Sequence, residues 1–291
     1  MSKVLLFNAT GFQGRTILKR LLEEGHEVVS PVRSEERLKM IEEMGAKAFI
    51  SDLSVNALTS EIEKVEKVIL QIPAAVSPDT MVGVAQNSME AIQKAGNPST
   101  IFVISSTIPT APTKVSSVDA RLKMVELAKK YIPNAPILSS TEYLENFSTA
   151  YRQPILENGV IPQTIPPTSK VNYLSWNDLA TYVLAALESD KLTGKVYPIG
   201  GNEGLSGLDL ANRLGKVLGK ELQYVPVSHE QLQGILTPIM GAEIAKDYAE
   251  FYHWQDTDGA DLLNPDTSEI RALLGVSLPS FEDWAKVAFN A

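Results

Sequence analysis

The first half of the chain alternates short apolar runs with segments of helical periodicity, and this alternation constrains the fold more than any other feature. Apolar runs occur at 3–8, 27–32, 47–50, 67–71 and 100–104, and helical spacing occurs at 12–24, 34–44 and 79–94. The first run, KVLLFN, is continuous, as expected for a parallel strand that is buried on both faces. We therefore predict an α/β fold with a doubly wound, parallel Rossmann sheet and right-handed crossovers.

The segment between the first strand and the first helix has the composition of a phosphate-binding turn. This glycine turn reads Asn8-Ala9-Thr10-Gly11-Phe12-Gln13-Gly14. Gly11 lets the backbone approach a phosphate, and Gly14 lets the helix pack closely on the strand. Asn8 replaces the usual first glycine, which is tolerable because asparagine accepts positive φ more readily than most residues. We expect this turn to bind a dinucleotide, with a purely structural turn as the alternative.

The end of the second strand indicates which dinucleotide binds. Chains that bind NAD normally carry Asp or Glu there for the ribose hydroxyls. This chain reads Pro31-Val32-Arg33-Ser34, and Glu35 and Glu36 come only afterwards. Arg33 offers a planar cation suited to a 2′-phosphate, with Ser34 and Arg37 as further candidates. We expect NADP(H) as the cofactor, and NAD(H) remains the alternative if Arg33 is only a surface charge.

The second half of the chain departs from the alternating order. Four prolines lie within 153–169, so this stretch cannot be one continuous helix. A helix at 177–188 and a strand at 195–199 are predicted to complete the sheet at about 170–200. We expect an NAD(P)-binding Rossmann domain at 1–152 and a smaller, mainly helical C-terminal lobe for the substrate at 153–169 and 203–291. Such lobes commonly close over the carboxyl ends of the strands, where ligands bind.

Composition excludes several classes of function. The net charge of −9 disfavours a nucleic-acid surface, which needs clustered Lys and Arg. The chain has no cysteine, and its three histidines are not spaced as zinc ligands, so we expect no metal site. Neither a signal peptide nor an apolar run of ~20 residues is present. We therefore expect a cytoplasmic protein with no membrane partner.

Several short motifs, taken in their order along the whole chain, resemble a known family. They are similar to the NmrA-like branch of the atypical short-chain dehydrogenases/reductases. The motifs are ATGFQG at 9–14, PVR at 31–33, SDL at 51–53, SS at 105–106, ENF at 145–147, WNDLA at 176–180, GKVYPIGG at 194–201 and NPDTSEIRALLG at 264–275.

The resemblance implies positions for further site residues. Arg33 would lie near the 2′-phosphate and Asp52 near the adenine, although Asp52 could equally be a turn or helix-capping residue. The path toward the nicotinamide would be lined by Gln71, Ile72, Pro73 and Ser105. The residues at the mouth of the site, facing the nicotinamide or a substrate, would be Tyr143, Asn146 and Phe147. For Tyr143 and Phe147, ordinary core packing is the alternative.

The chain lacks the Tyr-x-x-x-Lys pair with which related reductases exchange a proton, because none of its nine tyrosines has lysine four residues later. The catalytic residue is therefore unknown, with Lys123 and Tyr143 as weak candidates. Lys123 is a candidate because some relatives use a lysine on the corresponding helix, but a solvated helix charge is the favoured interpretation.

The function that fits these features is hydride transfer from NADPH to a small-molecule substrate, a quinone or another conjugated carbonyl compound. Such an acceptor can take its proton from water, and the cofactor carries the chemistry. The alternative is a non-catalytic protein of NmrA type that senses NAD(P) and regulates a partner. A homodimer is compatible with either function.

Overall fold

The computed structural model describes residues 1–73 and 76–291. Its strands are β1 (Lys3–Leu6), β2 (Glu27–Val32), β3 (Lys47–Ile50), β4 (Lys67–Gln71), β5 (Ser99–Ile104), β6 (Ile137–Ser140), β7 (Val160–Gln163), β8 (Val196–Ile199) and β9 (Gln223–Pro226). Seven of them form one sheet in the order β3-β2-β1-β4-β5-β6-β8, and every neighbouring pair is parallel. The predicted doubly wound Rossmann sheet is confirmed, and its strand order reverses between β1 and β4.

Helices cover both faces of this sheet. They are α1 (Phe12–Glu23), α2 (Glu35–Glu43), α3 (Val55–Ile62), α4 (Pro78–Lys94), α5 (Ser116–Tyr131), α6 (Glu145–Ser148), α7 (Trp176–Leu187), α8 (Gly207–Leu218), α9 (His229–Met240), α10 (Ala242–Asp256), α11 (Ser268–Leu274) and α12 (Phe281–Phe289). Val4 and Leu6 of β1 pack in the layer that contains α1 and α7, whereas Leu5 packs in the layer of α3, α4 and α5. This alternation explains why three consecutive positions of the first strand, 4–6, are apolar.

The C-terminal part is mainly helical, as predicted, and has its own apolar core. The second, two-stranded sheet pairs β7 with β9 in parallel. Its core combines Ile161 of β7, Leu210 of α8 and Trp284 of α12. In the proline-rich stretch, a single π-helical turn at Pro154–Asn158 ends at Gly159 in the left-handed conformation. Ile270 of α11 instead packs in the layer of α1 and α7, so the chain returns to the large sheet before its last helix.

Helices α9 and α10 form a hairpin against the large sheet's helical layer. Phe251 and Trp254 of α10 pack on Val118 at the start of α5. This contact places α10 over the residues that follow β5 and β6, at the carboxyl edge of the sheet. In the described part of the chain, no helix combines the length and the apolar character needed to cross a membrane.

Candidate functional site

The glycine turn begins with Asn8 in the left-handed conformation at φ 57°. The backbone reverses direction after Asn8, and the Gly11 N–H donates to the Asn8 carbonyl at 3.0 Å. Gly11 is the N-cap of α1 and has no side chain that could accept from the helix. The N–H groups of the first turn of α1 are therefore free to bind an anion.

Gly14 lies at the closest approach of α1 to this turn. A Cβ atom at Gly14 would lie 2.1 Å from the Asn8 carbonyl oxygen and 2.9 Å from Ala9 Cα. At Gly11 the nearest atom would be Asn8 Nδ2 at 3.0 Å, the end of a side chain. The helix therefore keeps its position on β1 only if residue 14 has no side chain.

A groove of about 290 Å³, called the turn groove here, runs from the glycine turn along the carboxyl ends of β2 and β4. Two arginines line it, Arg33 after β2 and Arg37 in α2, and Arg37 Nη1 donates to Thr10 Oγ1 at 3.3 Å. Neither guanidinium forms an ion pair with a described carboxylate. The other lining residues include Asn8, Gly11, Leu53, Gln71, Pro73 and Val76.

A second space of about 200 Å³ lies between the carboxyl ends of β5 and β6 and helix α10, and we call it the interlobe cavity. Val76 lines both spaces, so they adjoin. The sheet side of the interlobe cavity contributes Gln13, Ser105, Glu142, Tyr143 and Asn146, and α10 contributes Tyr248, Phe251, Tyr252 and Gln255. The two spaces together form a path from the arginines to a site closed by aromatic rings.

A hydrogen-bonded cluster marks the junction of the two spaces. Gln71 Nε2 donates to Ser105 Oγ at 3.1 Å, and Ser105 Oγ donates to Gln13 Oε1 at 2.7 Å. The other amide atom of Gln71, Oε1, is buried and has no hydrogen-bond partner among the described residues. A buried acceptor without a partner is costly, so this atom fits a ligand that donates a hydrogen bond at the junction.

Tyr143 lies in the interlobe cavity as a neutral phenol. Its Oη lies 2.8 Å from Ser140 Oγ, and burial raises its pKa to about 12. Asn146, the second predicted substrate residue, also lines the cavity and donates to Glu142 Oε2 at 3.2 Å. Both side chains can therefore donate hydrogen bonds there at neutral pH, provided that a ligand offers oxygen acceptors.

Two buried charged residues of the interlobe cavity escape the sequence-based prediction, Arg121 and Glu142. Glu142 Oε1 accepts from Gln255 Nε2 at 2.7 Å, and burial raises the pKa of this carboxyl despite that hydrogen bond. The guanidinium of Arg121 lies 4.5 Å from the Phe251 ring centroid, and burial lowers its pKa to about 10. Ser117 and Arg121 are four residues apart on α5, and this spacing is the one local signal that both face the same side.

Lys123 and Phe147 are not brought to the site. Lys123 lies on the solvent side of α5, where its Nζ is 3.0 Å from Glu126 Oε2. Phe147 is fully buried in the core of the C-terminal part, with its ring 5.3 Å from that of Tyr173. Lys123 is thus a solvated helix charge and Phe147 a core residue, the alternatives to a role in the site.

Three further predicted residues lie beside the turn groove without lining it. Asp52 is exposed, and its Oδ1 accepts from the Ser54 N–H at 2.8 Å, which makes it a turn residue. Ile72 is buried in the apolar layer, whereas its neighbour Pro73 lines the groove. The Phe12 ring stacks on Trp176 at 5.3 Å, so only its backbone belongs to the glycine turn.

Glu145 precedes Asn146 in the ENF motif, and its carboxylate links α6 to α7 and α12. Its carboxylate oxygens accept from the Trp176 N–H at 3.0 Å and from Trp284 Nε1 at 3.3 Å. Burial nevertheless raises its pKa from 4.5 to about 7. The ionised form is therefore destabilising in the folded protein, although both of its oxygens have donors.

This pKa predicts a pH-dependent stability that Glu145→Gln removes. The folded protein binds more protons than the unfolded chain between the two pKa values, so the free energy of unfolding falls as pH rises from 4.5 toward about 7. We expect the wild type to lose about 1–3 kcal/mol more than Glu145→Gln between about pH 5 and about pH 8 in urea unfolding. Glu126→Gln, at an exposed carboxyl, is the control. Equal losses in the wild type and Glu145→Gln would refute this prediction.

The sheet and the glycine turn are those of a Rossmann-type protein, and the family comparison narrows this class. The chain belongs to the NmrA-like family, whose model matches residues 1–274.

Individual relatives have different named functions. A photosystem II assembly factor of Synechocystis sp. is 22% identical over 87% of this chain and 76% of its own length. An NAD(P)H azoreductase of Xenophilus azovorans is 24% identical over 86% of each chain. The structure of an NADPH-dependent quinone oxidoreductase of Escherichia coli in complex with NADPH matches with a TM-score of 0.81 at 21% identity, over 99% of this chain and 100% of that one. The chain is therefore similar to proteins named as reductases and to a protein named as an assembly factor.

Proposed function

We propose that this protein is an NADP(H)-dependent oxidoreductase that reduces a quinone or another conjugated carbonyl compound. One observation carries the proposal: a groove lined by two arginines, which form no ion pair within the described residues, continues at Val76 into a cavity at the carboxyl edge of the sheet. This path has a cationic end for a phosphate and an aromatic end for a flat acceptor. The similarity to proteins named as reductases adds support.

The turn groove offers separate binding groups for the pyrophosphate and for the 2′-phosphate of a dinucleotide. The free N–H groups of the first turn of α1 would bind the pyrophosphate, and Arg33 and Arg37 would bind the 2′-phosphate. Leu53 and Pro73 would contact the adenine. The partnerless Oε1 of Gln71 would accept from the carboxamide end of the cofactor. When bound, the nicotinamide supplies a hydride to the acceptor.

The side chains of the interlobe cavity would orient the acceptor and exclude water. Tyr143 stays protonated at neutral pH and would donate a hydrogen bond to the acceptor oxygen, where negative charge develops during reduction. A conjugated carbonyl compound suits this cavity because its oxygen can take the proton from water after the hydride has arrived at carbon. No Tyr-x-x-x-Lys pair is then required.

The test has two stages. Titration of the protein with NADPH and NADH, followed by quenching of its three tryptophans, is expected to give at least about tenfold tighter binding of NADPH. Loss of NADPH absorbance is then measured with a panel of naphthoquinones and enones. If the protein binds neither NADPH nor NADH, the proposed function is excluded.

A sensor of NAD(P) without turnover is the second candidate, and two observations favour it. The chain lacks the catalytic tyrosine and lysine pair, and one relative is named as an assembly factor and not as an enzyme. The same experiment distinguishes the candidates. Tight NADPH binding with no oxidation by any acceptor of the panel would support the sensor.

A further inference from the structure

Arg121 is a buried cation that faces the interlobe cavity. Its side chain is 8% exposed, and its guanidinium donates one hydrogen bond, to the Ser117 carbonyl. The face of Phe251 lies against it at 4.5 Å. No carboxylate of the described residues forms an ion pair with it. A guanidinium has five N–H donors, so most of its hydrogen-bonding capacity is unused.

No acidic residue of the cavity forms an ion pair with this guanidinium. The Glu142 carboxyl accepts from Gln255 and Asn146 instead, and burial raises its pKa, while the attraction between Glu142 and Arg121 opposes that rise. Asp247 also lines the cavity but forms no ion pair with Arg121, and partial burial with nearby Glu250 raises its pKa as well. Burial lowers the pKa of Arg121 only to about 10, so the guanidinium remains charged at neutral pH.

A buried charge without a partner is strongly unfavourable, and a ligand of opposite charge removes that cost. The planar fork of arginine binds the two oxygens of a carboxylate or sulfonate at the same time. The walls beside it are the rings of Tyr248, Phe251 and Tyr252 and the side chain of Met81. Such walls fit a flat, apolar ring.

We infer that the interlobe cavity binds flat aromatic acceptors that carry a carboxylate or sulfonate group, which is held by Arg121. This inference rests on the proposed function because it names the substrate class of the same site. The binding step itself needs no cofactor, so it can be measured separately from turnover.

The first test compares two redox-inert probes of the same shape, naphthalene-2-sulfonate and the uncharged naphthalene-2-sulfonamide. Isothermal titration calorimetry of the wild-type protein is expected to show about tenfold to hundredfold tighter binding of the sulfonate. Equal affinity for the two probes would overturn the inference, and so would the absence of binding of either probe at millimolar concentration.

Variants then assign the preference to Arg121. Arg121→Met is expected to bind both probes with similar affinity. Lys123→Met, two residues away on the solvent side of α5, is expected to keep the preference of the wild type. A full preference in Arg121→Met would overturn the inference, and retained sulfonamide binding shows that this variant is folded. Asp247→Asn leaves Arg121 in place and is expected to strengthen sulfonate binding, so unchanged or weaker binding would count against the inference even if Arg121→Met does not fold.

The two hypotheses can fail independently. Sulfonate preference in a protein that binds no NADPH would exclude the proposed function and leave the anion site standing. NADPH-dependent turnover of neutral quinones without any sulfonate preference would exclude only the anion site.

Discussion

Replacing Gly14 by alanine is expected to lower the free energy of unfolding by about 2 kcal/mol or more and to weaken NADPH binding at least about hundredfold. The new Cβ would lie 2.1 Å from the Asn8 carbonyl oxygen and 2.8 Å from its carbonyl carbon. Both atoms belong to the backbone, so no side-chain rotation relieves the overlap. Helix α1 must move away from β1, and its N-terminal N–H groups then leave the positions that suit a phosphate. Urea unfolding and calorimetric titration with NADPH measure the two effects.

Gly83→Ala provides the matched control. Gly83 lies within α4, and apart from its own helix no atom of the described residues would come within 4 Å of a Cβ at this position. Alanine is a better helix former than glycine, so Gly83→Ala is expected to raise the free energy of unfolding by about 0.5–1 kcal/mol. NADPH affinity should not change. A Gly14→Ala protein with wild-type stability would show that α1 does not need this close contact.

The elements that the sequence predicts correctly carry local signals. The first strand is followed by a glycine-rich turn and a helix of clear period, and all three form where expected. Ser34 begins the second segment of helical spacing, and its side chain caps α2 by accepting from the Arg37 N–H. The sequence also predicts helix α7 to within a residue at each end, because its apolar positions recur at helical spacing. In each case neighbouring residues decide the conformation, without help from distant parts of the chain.

Short or half-polar elements carry no such signal. Strand β6 has the sequence ILSS, and its two serines conceal that all four residues are buried, with β5 on one side and β8 on the other. Helix α3 has only eight residues, and its apolar face depends on contact with α4. Tertiary packing stabilises both elements, and a single-sequence pattern cannot reveal that packing.

Sequence reasoning predicted Tyr143 and Asn146 in the interlobe cavity but missed its buried charged residues and the side chain that hydrogen-bonds to one of them. Arg121, Glu142 and Gln255 come from α5, from the end of β6 and from α10, so no spacing along the chain connects them. The choice between Arg121 and Lys123 depends on helix register, since two residues rotate a side chain by about 200° around the axis. The sequence shows a charged helix, whereas only the position of α10 shows which side of it is buried.

The predicted cofactor preference leads to the second large effect, which concerns Arg33 and Arg37. The double variant Arg33→Ala/Arg37→Ala is expected to bind NADPH about hundredfold more weakly and NADH with unchanged affinity. Each charged hydrogen bond to a phosphate contributes about 1.5–3 kcal/mol, and both side chains are exposed, so solvent screening reduces the sum to about 3 kcal/mol. Calorimetric titration with each dinucleotide measures the change.

Lys39→Ala is the control for this experiment, because Lys39 is an exposed cation of the same helix that does not line the turn groove. Its removal tests whether any positive charge on α2 is sufficient for the preference. Added salt should weaken NADPH binding to the wild type more than to the double variant. Salt screens the attraction between the two arginines and the 2′-phosphate, and only the wild type has these arginines. Equal weakening of NADPH and NADH in the double variant would contradict a role in reading the 2′-phosphate. The arginines would then act on the glycine turn itself, through the contact of Arg37 with Thr10.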